Sequence, residues 1–411
     1  MGKEKLPDGW RWSTLKKECI INPRKPQLQV DDHQGTSFVP MEAVDGDRGI
    51  ISEIKVVPFQ KVKKGYTYFE ENDVLFAKIT PCMQNKKSVI ARGLINKFGF
   101  GSTEFHVLRC KQHVIPEWIY YFVRNQQFIN EAEGNFTGAV GQQRVPKSFL
   151  EDYPFIVPPI SFQQKIVDHI DKEIFHCGQM KREIRKELET FEDLITSVYK
   201  TSFENGSFQK YPIASIGDVC MKVTDGTHHT PKYTNHGIPF ISVKDIRPDK
   251  ISFEGTRFIS EDEHKQLIKR CNPKKGDVLY TKVGTTGIAK QIDTDREFSI
   301  FVSVALLKVD NNKIKPEYLE KVLNSPICRQ QAVHYTEGAG NKNLVIRNLV
   351  KIKLPLPPLD EQTITIDRLN EKLNILYDVR GKLIEKETAI TLLPASILNE
   401  VFGKYEIPEK V

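Results

Sequence analysis

The chain contains 411 residues, more than one hydrophobic core usually organises, so we expect two or more domains. Its formal net charge is +7, and its longest apolar run, around Ile300 to Val309, is too short to span a bilayer. Seven cysteines without CxxC spacing favour reduced thiols over a disulfide framework. The start, "MGKEKLPDGWRW", lacks the apolar segment and cleavage site of a secretory signal, which predicts a cytoplasmic protein.

Two kinds of segment alternate along the chain. Residues 1–155 contain short β-branched or aromatic runs, such as "SVIARG" and "EFHVLRC", separated by Gly, Pro and Asn. Residues 156–206 carry a long apolar periodicity that predicts a spacer helix. The same two kinds of segment return as residues 207–354 and residues 355–411. The sequence therefore predicts two domains of the mixed α/β (α+β) class, each followed by a long helix.

The second half of the chain repeats the first. Residues 137–203 align without a gap with residues 336–402, so that Phe203 corresponds to Phe402. Upstream, "FVPMEAV" corresponds to "FISVKDI" and "DVLFAK" to "DVLYTK". Because only two copies occur, the pattern indicates one duplicated unit and not a solenoid. We expect the two copies to be related by a pseudo-twofold.

Each predicted helix begins with the same step, "IVPPISFQ" in the first half and "PLPPLDEQ" in the second. Two prolines hold the backbone extended, and Ser161 and Asp360 then occupy the position of an N-cap. Ser161 with Gln164 also fits a capping box. The residues predicted to start the two helices are Pro158, Pro159 and Ser161 in the first and Pro357, Pro358 and Asp360 in the second.

Apolar residues along both helices keep the 3,4 alternation of a coiled coil. The seams cover residues 166–198 and 366–401, with Arg380, Glu387 and Pro394 as exceptions in the second. We expect the two helices to pack antiparallel. Proline removes a backbone donor, so Pro394 is expected to kink the second helix or end it early.

Charge follows the division into segments. The net charge is +6 for residues 1–150, −4 for 151–206, +6 for 207–349 and −1 for 350–411. Two basic domains joined by spacers that are not basic are typical of a protein that touches a polyanion at two places. Ordinary solvated charge is the alternative at this point.

Several stretches resemble the specificity subunit of type I restriction–modification systems. They are "FAKITPCMQNKKSVI" (76–90), "GFGSTEFHVLR" (99–109) and the paired proline steps, and the order of segments matches over essentially the whole chain. The resemblance implies a subunit without catalysis of its own, which reads a bipartite asymmetric site on double-stranded DNA. The second half departs from the first at "YTKVGTTGIAKQI" (280–292), so we expect its two domains to read different bases.

The resemblance also implies partners and cofactors. Two adenine-N6 methyltransferase subunits are expected to dock on the chain and, in the full complex, two ATP-dependent translocase/nuclease restriction subunits. S-adenosylmethionine, ATP and Mg²⁺ are expected on those partner subunits, and no cofactor is expected in this chain. No membrane partner is expected.

Candidate DNA contacts lie in segments that are basic, polar and interrupted by Gly. Lys suits phosphates, whereas Asn and Gln pair with adenine edges and Arg or Lys with guanine. In the first domain the candidates are Lys78, Thr80, Gln84, Asn85, Lys86, Lys87, Gln142, Gln143 and Arg144. In the second domain they are Thr227, His228, His229, Lys232, Tyr233, Lys282, Thr285, Thr286, Lys290, Asn341, Lys342 and Asn343. Exposed polar loops and simple turns are the alternative interpretation.

A catalytic interpretation rests on one short pattern. Asp249, Glu263 and Lys265 imitate the two carboxylates and the lysine of a Mg²⁺-dependent nuclease. The first half has no counterpart, and residues 261–269 are as charged as a solvated helical turn. A stand-alone nuclease is therefore one alternative function, and a coiled-coil adaptor without a DNA role is another.

Other catalytic and metal sites are not indicated. Neither Pro-Pro pair has the preceding Asn or Asp and the following aromatic residue that adenine methylation needs, and a GxxxxGK[ST] loop for ATP is missing. His106, Cys110 and His113 supply three soft ligands where a structural zinc site needs four, so we predict no metal site.

Overall fold

The computed structural model describes residues 6–139, 141–204, 207–338 and 343–403. The chain divides into two compact units, the first formed by Met1–Glu183 with Lys386–Val411 and the second by Ile184–Glu385. Each unit therefore combines one globular half of the chain with segments of two long helices. Among the described helices, none is both long enough and apolar enough to cross a membrane.

The first unit is built from short strands and helices. Its strands are β1 (Arg11–Thr14), β2 (Cys19–Ile21), β3 (Gly35–Val39), β4 (Val44–Asp45), β5 (Ile50–Ile51), β6 (Lys55–Pro58), β7 (Thr67–Glu70), β8 (Val74–Ala77), β9 (Ser88–Ile90), β10 (Phe98–Gly101), β11 (Phe105–Cys110) and β12 (Pro154–Val157). Its helices are α1 (Leu15–Glu18), α2 (Phe59–Val62), α3 (Pro116–Val123), α4 (Gln126–Gly134), α5 (Lys147–Asp152) and the start of α6 (Ile160–Phe203).

The second unit has a similar inventory. Its strands are β13 (Ile213–Ser215), β14 (Cys220–Asp225), β15 (Tyr233–Thr234), β16 (Ile238–Ile241), β17 (Arg257–Ile259), β18 (Val278–Thr281), β19 (Ala289–Gln291), β20 (Ser299–Ile300), β21 (Val304–Val309) and β22 (Lys353–Pro355). Its helices are α7 (Ser207–Lys210), α8 (Ile216–Val219), α9 (Glu261–Leu267), α10 (Pro316–Leu323), α11 (Pro326–His334), α12 (Ile346–Leu349) and the start of α13 (Leu359–Phe402). Short 3-10 helices cover Met41–Ala43, Ile95–Lys97 and Val243–Asp245.

The sheets of the two units follow one plan. The antiparallel order β2-β11-β8-β9 in the first unit recurs as β14-β21-β18-β19 in the second. Each unit has a second four-stranded sheet with one parallel pair, β3 with β10 and β16 with β20. A two-stranded ladder, β1-β12 or β13-β22, leads into each long helix. The duplication and the mixed α/β class predicted from the sequence are confirmed.

The two long helices each contain 44 residues. The predicted seam is buried at Ile170, Cys177, Ile184 and Ile195 in α6 and at Ile366, Leu369, Leu373 and Ile390 in α13. In the second unit α6 and α13 run antiparallel, because Glu192 pairs with Arg380 and Tyr199, further along α6, bonds with Tyr377, earlier in α13. In the first unit the start of α6 shares a core with Leu398 and Phe402 at the end of α13.

The expectation that α13 ends early at Pro394 is wrong. The helix continues through Pro394 to Phe402. An internal proline costs a helix about 3 kcal/mol, but Leu398 and Phe402 beyond it are buried in the core of the first unit. Burying two such side chains stabilises by roughly 1.5–3 kcal/mol each, which offsets the lost hydrogen bond.

The helices start two residues earlier than the predicted N-caps imply. Since α6 begins at Ile160 and α13 at Leu359, Ser161 and Asp360 lie inside the first turn and are not N-caps. Pro159 and Pro358 accept the first helical bonds instead, from the amides of Gln163 and Gln362 at 3.0 Å. The predicted capping box is also wrong, because Gln164 donates to Asp168 (2.8 Å).

A buried glutamine fixes each helix start to its domain. Gln163 Nε2 donates to the carbonyls of His113 and Pro158, both at 2.8 Å, and its Oε1 accepts from the Ile115 amide at 3.0 Å. Gln362 repeats this pattern in the second unit, with the carbonyls of Lys313 (3.1 Å) and Pro357 (2.9 Å) and the amide of Lys315 (2.8 Å). The proline step occurs twice because each of the two domains is tethered to its long helix in the same way.

Candidate nucleic-acid interface

Two polar segments of the first unit, separate in sequence, lie against each other. The loop after β8 carries Lys78 to Lys87, and the hairpin 137–144 carries Gln142 to Arg144. The Thr80 amide donates to the Gln143 carbonyl (3.1 Å), and the Val145 amide donates to the Lys78 carbonyl (2.9 Å). The structure therefore brings both sets of predicted contacts in this domain to one surface.

The loop after β8 is shaped by backbone contacts. Arg124 is buried and donates to the carbonyls of Lys86 (2.7 Å) and Gly46 (2.6 Å). A Cβ at Gly46 would lie 2.0 Å from the Asn85 carbonyl oxygen, so only glycine allows this approach. Lys87 Nζ donates to the Met41 carbonyl (3.0 Å). Gln84 and Asn85 are left exposed at the tip.

Some charged side chains around this surface already make contacts within the protein. Arg144 donates to Glu104 through Nε (2.8 Å) and Nη2 (2.7 Å), a bidentate pair that lowers the pKa of Glu104. Its Nη1 donates to the Gln142 carbonyl (3.0 Å), so Arg144 braces the hairpin. Burial, and then the charge of Arg124, lowers the pKa of Lys86. The Thr80 hydroxyl is buried and has no partner among the described residues.

His106 contacts the backbone of Val145, the residue that follows this hairpin. It is buried, its Nε2 lies 2.8 Å from the Val145 carbonyl oxygen, and its Nδ1 lies 3.0 Å from Asn22 Nδ2. Burial lowers the pKa of His106 to about 4, so the ring is neutral near pH 7. Within the described ranges, no three His, Cys, Asp or Glu side chains are grouped to hold a metal ion.

The second unit assembles three predicted segments in the same way. The Leu344 amide donates to the Lys282 carbonyl (2.9 Å), and the Val302 amide donates to the Thr227 carbonyl (3.0 Å). Asn343 exchanges two backbone bonds of 2.9 Å with Glu337. Asn341 and Lys342 lie outside the described residues. His228, His229, Lys232 and Thr285 are exposed.

Three candidates of the second domain are not available as surface contacts. Lys282 is buried with its Nζ 2.6 Å from Asp225, and Lys290 points to the buried Glu320 at 3.4 Å. Thr227 is buried and donates its hydroxyl to the His229 carbonyl (3.2 Å). Each of these three side chains has its partner inside the protein, and their contact with DNA stays a prediction.

The remaining candidates of this domain are partly engaged. Thr286 donates its hydroxyl to the Lys282 carbonyl at 3.1 Å. The Tyr233 ring lies under the Arg257 guanidinium, 4.4 Å from its centroid, and is half-buried. Both keep part of their surface open at the edge of the assembled segments.

Sequence reasoning missed Arg270. It follows α9, and its Nη2 donates to Asp225 Oδ1 at 2.7 Å, although 45 residues separate the two. Arg270 thus joins Asp225, His228 and Lys282, which we call the Asp225 cluster. In the sequence Arg270 adjoins a charged helical turn and lies outside every Gly-broken segment, so only the fold reveals its position.

The residues of the nuclease alternative make separate local contacts. Glu263 lies in the first turn of α9 and accepts from the Lys232 amide (3.3 Å), and Lys265 points to Asp262 (3.9 Å). Asp249 lies in an exposed turn. Its neighbour is Tyr377, whose pKa is raised first by burial and to a smaller extent by the charge of Asp249. These contacts give the two carboxylates different neighbours.

Comparison with known proteins identifies the family. Residues 7–190 and 209–385 match the family described as the type I restriction modification DNA specificity domain. The chain belongs to this specificity family. The nuclease and adaptor alternatives are not favoured by that membership.

Relatives of the specificity family agree with this assignment. The type I restriction enzyme EcoEI specificity subunit of Escherichia coli is 36% identical over 198 residues, which are 48% of this chain and 33% of that protein. The alignment thus spans about a third of that relative's length.

Two solved structures share the fold. A chain from a study of complex assembly and conformational transition in the type I R-M system matches with a TM-score of 0.75 and 20% identity, over 97% of this chain and 98% of that one. The HsdS subunit from Thermoanaerobacter tengcongensis matches with a TM-score of 0.57 and 20% identity, over 98% of each chain. At this identity the likeness concerns the fold alone.

Proposed function

We propose that the chain is the non-catalytic specificity subunit of a type I restriction–modification complex and reads a bipartite, asymmetric site on double-stranded DNA. The observation that carries the proposal is that both units bring separate polar segments onto one surface of the same framework, yet with different side chains. Gln84 and Asn85 stand at the tip in the first unit, whereas His228, His229 and Lys232 are exposed in the second. One framework with two sets of side chains suits two different half-sites.

The proposed contacts are those that the fold leaves at these surfaces. In the first domain they are Lys78, Gln84, Asn85, Lys86, Lys87, Gln142 and Gln143, with Arg144 and Thr80 as supports. In the second they are His228, His229, Lys232, Tyr233, Thr285, Thr286 and Asn343. Lysines are assigned to phosphates, and amides and imidazoles to base edges.

The long helices are proposed to dock two adenine-N6 methyltransferase subunits. Large apolar side chains away from the seam are exposed in both units, among them Phe175 and Leu392 in the first and Leu194 and Ile375 in the second. Exposed apolar groups on a helix favour a protein partner. Two restriction subunits complete the complex, and S-adenosylmethionine, ATP and Mg²⁺ act on these partners. The complex acts in the cytoplasm, where the host DNA lies.

Methylome sequencing of the host, with and without this gene, tests the proposal. We expect one asymmetric, two-part motif to lose adenine methylation when the gene is removed. Unchanged methylation, or cleavage of duplex DNA by the purified chain with Mg²⁺ alone, would contradict a non-catalytic reader.

Partner docking has a separate test. Analytical ultracentrifugation of the chain with its methyltransferase should saturate at two methyltransferases per chain. F175E and I375E should each remove one of them, whereas K172E, at an exposed charged position on α6, should remove neither. Saturation of the unmodified chain at one methyltransferase would count against one docking surface in each unit.

A further inference from the structure

The Asp225 cluster lies where two segments proposed to face DNA meet. Lys282 Nζ bonds Asp225 Oδ2 at 2.6 Å, and the two side chains are only 3% and 7% exposed. Arg270 bonds the other oxygen of the same carboxylate at 2.7 Å but remains 57% exposed. One carboxylate therefore bonds two basic side chains, and of these two only Arg270 is exposed to solvent.

Arg270 is held from several sides. Lys222 Nζ donates to its carbonyl (2.9 Å), and its own amide donates to the Leu267 carbonyl (3.2 Å). His228 Nε2 lies 3.4 Å from Arg270 Nη2 and 3.3 Å from Asp225 Oδ1. Among the described residues, every contact of the guanidinium is made through Nη2. Nη1 is thus left for an acceptor outside the chain, and together with the second hydrogen of Nη2 it forms an end-on fork of parallel donors.

The loop that carries His228 is also fixed in place. A Cβ at Gly226 would lie 2.0 Å from the Ile300 carbonyl oxygen, so this position requires glycine. The Thr227 amide donates to the same carbonyl at 3.2 Å. The cluster is therefore a rigid feature of the recognition surface.

We infer that Arg270, oriented by Asp225, is a specificity-determining residue of the second domain and reads a guanine in its half-site through the O6 and N7 acceptors. This inference rests on the proposed function and deepens it. Arginine paired to those two acceptors is the commonest specific contact in the major groove.

A base edge fits this arginine better than a phosphate does. A planar guanidinium gives directional recognition only when its orientation is set, and here a buried carboxylate sets it. The same carboxylate neutralises part of the charge that a phosphate contact would use. Phosphates attract mobile unpaired lysines equally well, and they carry no sequence information.

Selection from randomised duplexes by the full-length chain, together with its methyltransferase, tests the inference. R270A should lose the preference for guanine at one position of one half-site, with about a 5- to 150-fold loss of affinity for the preferred duplex. R270K should show the same loss, because an ammonium cannot replace the fork of donors. R247A, at an exposed arginine of the same unit, should leave the motif and the affinity unchanged.

Three outcomes would overturn the inference in distinguishable ways. An unchanged guanine preference in R270A and R270K would show that Arg270 reads no base. Uniform weakening in R270A, with a salt slope shallower by about one unit and rescue by R270K, would make it a phosphate contact. Failure of the unmodified chain to select any sequence would instead overturn the proposed function, and this inference with it.

Discussion

The ring of Phe402 packs on Trp118 with centroids 4.8 Å apart, and the aligned Phe203 packs on Tyr318 at 5.7 Å. Trp118 and Tyr318 occupy the same place in α3 and α10, two residues after the proline that begins each helix. Phe203 and Phe402 are the last residues of α6 and α13. Each unit thus closes its core with the end of a long helix that begins in the other half of the chain.

Replacing these rings should loosen one unit at a time. F402A should raise amide hydrogen exchange in α3 but not in α10, and F203A should do the reverse, each costing roughly 3–5 kcal/mol of local stability. Hydrogen exchange followed by mass spectrometry measures both helices in one experiment. F175A is the control, since Phe175 is exposed on α6. Loss of α10 protection in F402A would contradict the assignment of these contacts.

A chain cut after Gly206 should form a homodimer. The truncation removes Phe402 from Trp118 but keeps Phe203, which in a second copy supplies the missing ring. The isologous pair should also turn the methylated motif into an interrupted palindrome of the first half-site. Sedimentation should show a dimer for residues 1–206 and a monomer for the same fragment with F203A. A soluble monomeric fragment with Phe203 intact would contradict the prediction that each copy supplies Phe203 to the core of the other.

The architecture was largely readable from the sequence because its signals are local or repeated. Apolar spacing predicted both long helices, and the constant register of Phe203 and Phe402 predicted the duplication. Both helices start two residues earlier than predicted, because Gln163 and Gln362 bond main-chain groups remote in sequence while Ser161 and Asp360 do not act as N-caps. Nothing in the spacing of α13 showed that burial beyond Pro394 would carry the helix through the proline.

The candidate site was less predictable than the fold. Composition located the polar segments but did not distinguish an exposed lysine from a buried one. Lys282 is neutralised by Asp225, 57 residues away, and Lys290 by Glu320. Arg270 was overlooked for the same reason, because the carboxylate that orients it is remote in sequence. Partners set by tertiary structure decide which charges remain exposed at the surface.

Removing the glutamine tethers should weaken each helix start. Q163L leaves the Ile115 amide and the carbonyls of His113 and Pro158 without their partner, at a cost of about 1–3 kcal/mol for each buried group. The Ile115 amide should then exchange faster, and Q362L should have the same effect on Lys315. Q164L is the matched control, because Gln164 is exposed. Unchanged hydrogen exchange at Ile115 would show that water replaces the side-chain amide of Gln163 without a loss of stability.

The lysines of the first recognition loop should govern the salt dependence of binding. K86A/K87A should weaken binding to all duplexes and make the slope of log K against log salt shallower by about one to two units. Gel shifts over a salt series measure it, with K61A, an exposed lysine on α2, as the control. A changed sequence preference with an unchanged slope would assign these lysines to bases.

His106 should make the first unit sensitive to acid. Its pKa is about 4 in the folded chain, against about 6.5 when unfolded. The unfolded state therefore binds the extra proton, and stability falls as the pH drops from about 6.5 towards 4, by at most about 3 kcal/mol. Denaturant unfolding at several pH values should show this loss in the parent and in H113Q but not in H106Q. An equal loss in H106Q would place the sensitivity elsewhere.

Gln163 and Gln362 make their bonds to main-chain groups, which every residue type supplies. The side chains of the loops they secure can therefore change without disturbing the joint. A lineage can alter the surface of either recognition domain, or inherit a different one, while the attachment of that domain to its helix is preserved. The proposed DNA specificity can therefore change in this architecture at little risk to folding.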